Sequence, residues 1–421
     1  MVEKPYEWID GATLEEHSRR KHKILREYVF DYLRVRCGLP QQERFRLAIV
    51  DAFAGGGRYD DGSPGSPLII IDQLRQSVDA VNIQRRTQGL KAVEVECLLI
   101  LNDVDADVVQ LLRSNVAPLL ADIATGKPSL HLHVQYLSEP FEKAYDQIKI
   151  ILDRGRYRNV IFNLDQCGHS HVDRNTIQDI MRSYVGAEIF YTFVISSLLA
   201  FLNKDQPKRL RSQLAHLKIG NDDIQALDAQ MSQKDWLATA ERIVFDAFKL
   251  CAPYVSPFSI NNPEGWRYWL IHFANAYRAR QVYNNVLHQN ASLQAHFGRS
   301  GLNMLSYDPT HDEGALYLFD VSGRASAKEQ LLADIPRLIS ESGDAMPVRD
   351  FYETIYNITP AHSDDIHAAI IENPDLEVIT PGGGERRKAN TVGVNDIIKL
   401  KIQRSFFPLF LNANKRDGGE S

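Results

Sequence analysis

Val50-Asp51-Ala52-Phe53-Ala54-Gly55-Gly56-Gly57-Arg58-Tyr59 closes a short apolar run, residues 46–53, and opens a stretch too rich in glycine and proline for helix or strand. From Pro67 to Leu74 an apolar helical pattern resumes, with Ser66 as its candidate cap. Strand, glycine loop and helix in that order bring bare backbone close to a ligand at a helix N-terminus, which is how nucleotide-type cofactors are held. A dinucleotide fold would show GxGxxG with its acid about 20 residues further on. Here the acid, Asp51, lies at the strand end itself. The bland alternative is a glycine-rich turn that holds no cofactor.

Further buried-strand candidates recur at 95–101, 130–137, 159–164, 188–196, 267–274 and 315–320, most followed by a segment able to be helical. That alternation predicts an α/β fold, a mostly parallel Rossmann-like sheet of seven strands with helices on both faces. The last two candidates flank a helical pattern, Tyr277–Gln289, and read as a hairpin-like edge. Residues 13–35 read as an amphipathic helix with Thr13 and Glu16 as a capping box. Residues 203–262 read as a helical insertion rich in charged and amide side chains.

After residue 324 the character changes. Helical patterns at 325–340, 346–357 and 363–374 precede an extended pair around a glycine turn, which suggests a winged-helix-like module. The expected organisation is therefore an N-terminal helical segment 1–45, an α/β domain 46–324, a winged-helix-like domain 325–408 and a polar tail 409–421.

Composition narrows the function classes. Lys and Arg number 48 against 54 Asp and Glu, a formal charge of -6, which argues against a protein that coats nucleic acid indiscriminately. Cys37, Cys97, Cys167 and Cys251 are spread singly, with no zinc-ligand spacing, so no metal site is expected and a reducing compartment fits. No signal peptide and no run of about 18 apolar residues is present, so the expectation is a cytoplasmic protein without membrane association.

Several polar residues fall at strand ends, where such sheets do chemistry. Asp103 ends the second strand and suits ribose hydroxyls, because a carboxylate accepts two hydrogens at once. Asp105 reads as the cap of the next helix. The third strand ends in Gln135-Tyr136-Leu137-Ser138-Glu139, where Gln135 and Ser138 are candidate readers of an adenine edge. The fourth strand delivers Asn163-Leu164-Asp165-Gln166-Cys167-Gly168-His169. A Cys167/His169 nucleophilic pair lacks an orienting third group, and a metal site from His169, His171 and Asp173 competes with a plain solvated loop. Arg19, Arg20, Lys21, His22 and Lys23 form the densest basic run, read either as a solvated helix face or as phosphate contacts at the mouth of the glycine loop.

Asp51, Phe53, Gly55 and Gly57 resemble motif I of class I S-adenosylmethionine methyltransferases in its adenine amino-methyltransferase form, D-x-F-x-G-x-G. The string His17, Lys21, His22, Ile24, Leu25, Tyr28, then VDAFAGGGRY, then Gly65-Ser66-Pro67, resembles the three-Cys-motif partner (TcmP) family. The basic pair before motif I is also similar to ribosomal RNA adenine methyltransferases of the RlmJ type. The resemblance implies S-adenosylmethionine as cofactor, held by Asp51, Phe53, Ala54, Gly55, Gly57, Asp103 and Ser138. It implies RNA or DNA as substrate, approached by Lys21, His22, Lys23, Arg58 and Tyr59, with Asp165 in the catalytic position. It also implies a three-Cys-motif protein as partner. The family's fourth-strand signature is matched by Phe162, Asp165 and Gly168 only, and the prolines and stacking aromatic of amino-methyltransferases are missing. A catalytically degenerate methyltransferase-fold scaffold is therefore the rival reading. A DNA-binding regulator is disfavoured by Asp364, Asp365, Glu372 and Asp375 on and beside the third terminal helix.

Overall fold

A computed structural model of the chain describes residues 7–126, 129–168, 170–202, 212–220, 222–223, 233–261, 267–290, 294–297, 316–318 and 320–401. The first helix, α1, spans Glu16–Cys37. It begins later than the pattern suggested because Thr13 is not its cap: the Thr13 hydroxyl donates instead to Asp60 Oδ2 at 2.8 Å. There follow β1 (Arg44–Asp51), α2 (Ser66–Thr87), β2 (Glu94–Asn102), α3 (Ala106–Thr125), β3 (Leu130–Leu137), α4 (Phe141–Gly155), β4 (Asn159–Leu164), α5 (Arg174–Ser183) and β5 (Gly186–Phe193). Then come α6 (Ile195–Phe201), α7 (Gln233–Lys249), β6 (Tyr254–Asn261), β7 (Arg267–Ala274), α8 (Tyr277–Gln289), β8 (Gln294–Phe297) and β9 (Leu316–Leu318).

The strands form one sheet in the order β3-β2-β1-β4-β5-β7-β6-β8-β9. Its first five members are parallel, and β7 runs antiparallel between β5 and β6. The expected seven-stranded, mostly parallel Rossmann-like sheet is present, with β8 and β9 added at its outer edge. Alternation along β1 divides the core: Leu47 and Ile49 join the cluster containing α1 and α2, while Ala48 and Val50 join the cluster containing α4 and α5.

Two expectations need correction. Residues 254–261, read as part of a helical insertion, are strand β6; Pro257 lies within it, opposite Ile271, and a proline cannot donate to the ladder, so it masks the pattern. Residues 267–274 are not an edge, since β7 is hydrogen-bonded on both sides.

The C-terminal part runs α9 (Val321–Glu341), β10 (Ala345–Pro347), α10 (Val348–Ile355), α11 (Ser363–Glu372), β11 (Leu376–Ile379) and β12 (Ile397–Leu400). Its strands pair antiparallel in the order β10-β12-β11. Leu331, Ile335, Phe351, Ile366 and Ile398 form its core, which is continuous with Tyr254 and Ala274 of the large sheet. Arg280 on α8 donates to the Tyr356 carbonyl at 3.1 Å, and Asn284 to that of Thr359 at 3.0 Å.

Candidate functional site

The strand order reverses between β1 and β4, and ligands of open α/β sheets bind beyond the carboxyl ends of the strands at such a point. Beyond β1 lies the glycine loop. It is pinned from three sides: Ala52 N–H donates to Asn163 O at 3.0 Å, Ala54 N–H to Asn102 O at 2.8 Å, and Asn115 Nδ2 to Gly56 O at 2.8 Å. Gly55 and Gly57 adopt φ of 60° and 83°, which side chains rarely tolerate. Space forbids a side chain there as well. A Cβ on Gly57 would stand 2.8 Å from methyl carbons of Leu68 and Leu112, and one on Gly55 would run into the indole of Trp8.

Asp51, at the end of β1, is fully buried. Asn163 Nδ2 donates to its Oδ1 at 3.0 Å, and Oδ2 has no hydrogen-bond partner among the described residues. Burial pushes its carboxyl up to about 7, against hydrogen bonding from Ser66 and Asn163. Asp51 thus sits beneath the loop rather than facing solvent. Ser66 is the first residue of α2, whose cap position is Gly65.

Asp103 remains partly exposed at the end of β2. Its Oδ2 accepts the Gly55 N–H at 3.0 Å and its Oδ1 the Asp105 N–H at 3.1 Å. A carboxylate has about four lone-pair sites, so acceptor capacity remains for a ligand. Asp105 caps α3 by accepting from Asp107 N–H at 2.8 Å. Gln135, within β3, and Ser138, just beyond it, are exposed.

Asp165 follows β4 and meets Lys21 of α1, whose ammonium lies 2.5 Å from Oδ1. Burial raises the Asp165 carboxyl, but the Lys21 charge and hydrogen bonds from Lys21 and Thr192 outweigh it and hold the group below the usual carboxylate range. A narrow cavity beside the pair, bordered by His22, Ser66, Asn163 and Thr192, has room for about one water. The next residue, Gln166, turns inward: it donates to the Tyr191 hydroxyl at 2.7 Å and accepts the His171 N–H at 2.9 Å. Cys167 is half-buried, and His169 lies outside the described residues.

The basic run is not a continuous cationic face. Arg20 lies 3.0 Å from Glu16 and Arg19 3.8 Å from both Glu16 and Asp61. Lys23 is exposed, 3.9 Å from Glu27. Lys21 is 9% exposed and directed at Asp165. His22 is buried with its ring 5.8 Å from Tyr59, and Tyr59 in turn lies 5.0 Å from Trp8. Arg58 is exposed and bonds the Gly62 carbonyl at 3.0 Å.

Sequence reasoning missed Asn102, Thr192 and Trp8. Buried Asn102 ties three strand ends together, donating to the carbonyls of Ala52 and Glu139, each at 3.0 Å. An amide closing an otherwise apolar strand was its signal. Trp8, far from any motif, gave none.

No family model matches the chain, and no curated protein does. Among solved structures, a protein of Klebsiella pneumoniae assigned as an O-methyltransferase aligns at TM-score 0.25 and 13% identity, over 59% of this chain and 80% of that one. A spermidine synthase in complex with the transition state analogue AdoDATO aligns at TM-score 0.24 and 11% identity, over 72% and 74%. Loganic acid methyltransferase with SAH aligns at TM-score 0.24 and 9% identity, over 93% and 99%. At these scores the likenesses carry no weight. The strand order itself, with its antiparallel β7, defines a Rossmann-like fold of the class I methyltransferase kind. Among the described residues no helix is long and apolar enough to cross a membrane, and no group of three metal-ligating side chains is gathered.

Proposed function

We propose that the chain is an S-adenosylmethionine-dependent methyltransferase acting on an amine in RNA or DNA, related to the three-Cys-motif partner proteins and working in the cytoplasm. The observation that carries this reading is the convergence of the glycine loop, Asp103 and Asp165 at the sheet's reversal point. The residues fit the cofactor in part: Gly55–Gly57 carry no side chains of their own, although the Trp8 indole packs against Gly55 and Gly56, and Asp103 keeps acceptor capacity while backbone amides fix its orientation. Bound there, S-adenosylmethionine supplies an electrophilic methyl group.

Asp165 does the aligning. Held ionised by Lys21, its carboxylate is a hydrogen-bond acceptor and a poor base, so it orients a target N–H rather than removing the proton. Lys21 acts through Asp165 and is a positioning residue. The terminal helices and strands serve as a winged-helix-like module for the polynucleotide or for a three-Cys-motif partner.

Tritiated methyl transfer into total RNA and DNA tests this reading. Transfer should occur and should fall by roughly 100-fold or more in Asp165→Ala, the scale of a lost positioning contact. Unchanged transfer in that variant removes the catalytic assignment. The inward turn of Gln166 favours a second reading, a scaffold that keeps the fold and the cofactor pocket without transfer. Cofactor binding and co-purification with a three-Cys-motif protein, with no transfer to any nucleic acid, would support it.

A further inference from the structure

A second cavity, of about 530 Å³, lies at the opposite end of the sheet, between α1, the start of β5 and the start of α8. Its size is that of a small-molecule site. Glu188 and Tyr28, both buried, make its floor, and the Tyr28 hydroxyl donates to Glu188 Oε2. His272 Nε2 approaches the same oxygen at 3.4 Å. Oε1 has no partner among the described residues and stands ready to accept from a ligand.

The rim is cationic. Arg36, Arg158 and Arg278 all line the cavity and all are exposed. Some arginines elsewhere meet acids, as Arg46 meets Glu96 at 2.8 Å, Arg324 meets Asp365 at 2.6 Å and Arg386 meets Asp396 at 2.9 Å, while others bond carbonyls or stack on rings, as Arg58 does with Gly62 and Arg113 with Tyr136. None of the three rim guanidinium groups has a carboxylate within ion-pair distance among the described residues. Arg36 bonds the amide of Asn159 and Arg278 that of Gln281, which leave both charges uncompensated. In a chain of net charge -6, these three arginines gather around one concave mouth. Between rim and floor the wall is apolar, with Tyr32, Val282 and, at the lip, Val185, which is 78% exposed.

We infer that this cavity binds a small organic phosphate of the nucleoside 5′-monophosphate class. The phosphate would engage the arginine fork geometry, the body would lie against the tyrosine and valine wall, and an N–H of the base would reach Glu188. The site is separate from the glycine loop and does not depend on what that loop binds.

Calorimetric titration of the full-length protein with AMP, GMP and inorganic phosphate tests the assignment. A nucleotide should bind one per chain and more tightly than phosphate alone. Arg158→Ala combined with Arg278→Ala should weaken it by roughly tenfold or more, as expected for lost hydrogen bonds to a charged group. These positions are exposed, so the fold should persist, and S-adenosylhomocysteine binding should be the same before and after substitution. No heat from either nucleotide, phosphate binding as tightly as the nucleotides, nucleotide binding indifferent to the arginine changes, or displacement of the nucleotide by S-adenosylhomocysteine would each overturn the inference.

Discussion

The Lys21 ammonium lies 2.5 Å from Oδ1 of Asp165 across 144 residues of sequence, joining the first helix to the end of the fourth strand. This pair turns a residue of the basic run into part of the site. Lys21→Met would leave the carboxylate, 21% exposed, with Thr192 as its remaining hydrogen-bond donor. The variant should lose about 1–3 kcal/mol in chemical denaturation, the cost of an uncompensated polar group. Lys21→Met with Asp165→Asn should recover most of that loss, and a strictly additive double variant would mean that the two residues are not coupled.

Asp51 makes stability depend on pH in an unusual direction. Its folded-state carboxyl is raised to about 7, so between pH 3.8 and 7 the folded state holds the proton more tightly than the unfolded chain. That contribution is lost as pH rises through 7. Asp51→Asn should therefore be more stable than the parent by up to about 4 kcal/mol above pH 7, with the difference shrinking toward pH 4. A difference independent of pH would contradict the burial argument.

The buried histidines act oppositely. Burial lowers His17 to about 3, and His22 and His288 to about 4. All three are neutral in the folded state and take up protons on unfolding, so their contribution is full above pH 6.5 and drains away as pH falls toward 4. His272, His362 and His367 are lowered as well, against Asp31 and Asp103 raised beside Asp51, so the histidines predominate and acidification through this window should be destabilising. His17→Phe, which keeps a ring on Tyr268, should flatten the profile by about 1.4 kcal/mol per pH unit. An unchanged slope would mean that His17 titrates normally.

Gly57 and Gly62 separate strain from crowding. Both have positive φ, 83° and 80°, but a Cβ meets Leu68 and Leu112 at 2.8 Å at the first and, among the described residues, nothing within 4 Å at the second. Gly62→Ala should cost about 1 kcal/mol from conformation alone. Gly57→Ala should cost about 1–3 kcal/mol more and weaken cofactor binding. Equal losses would show that the loop yields to the extra methyl group.

Much of the fold was legible because β1, β2, β4 and β5 are apolar runs bounded by turn residues, the pattern that burial on both faces imposes. β6 was not, since Pro257 breaks the strand signal while its neighbours still pair. The acids Asp51, Asp103 and Asp165 could be placed at strand ends from spacing alone. Their partners could not. The contacts of Lys21 with Asp165, of Asn102 with Glu139 and of Trp8 with Gly55 are all products of packing between distant segments, and local sequence does not say which residues meet. For the same reason Lys21 and Tyr59 read as surface residues, although the fold buries both.

The glycine loop with Asp103 as a cofactor site is tested most directly by isothermal titration of the protein with S-adenosylhomocysteine, alongside Asp103→Ala. One molecule should bind per chain, and the variant should bind at least tenfold more weakly, as expected for loss of a carboxylate that accepts two hydroxyls. Absence of heat with the parent protein, or equal affinity in Asp103→Ala, would contradict the assignment.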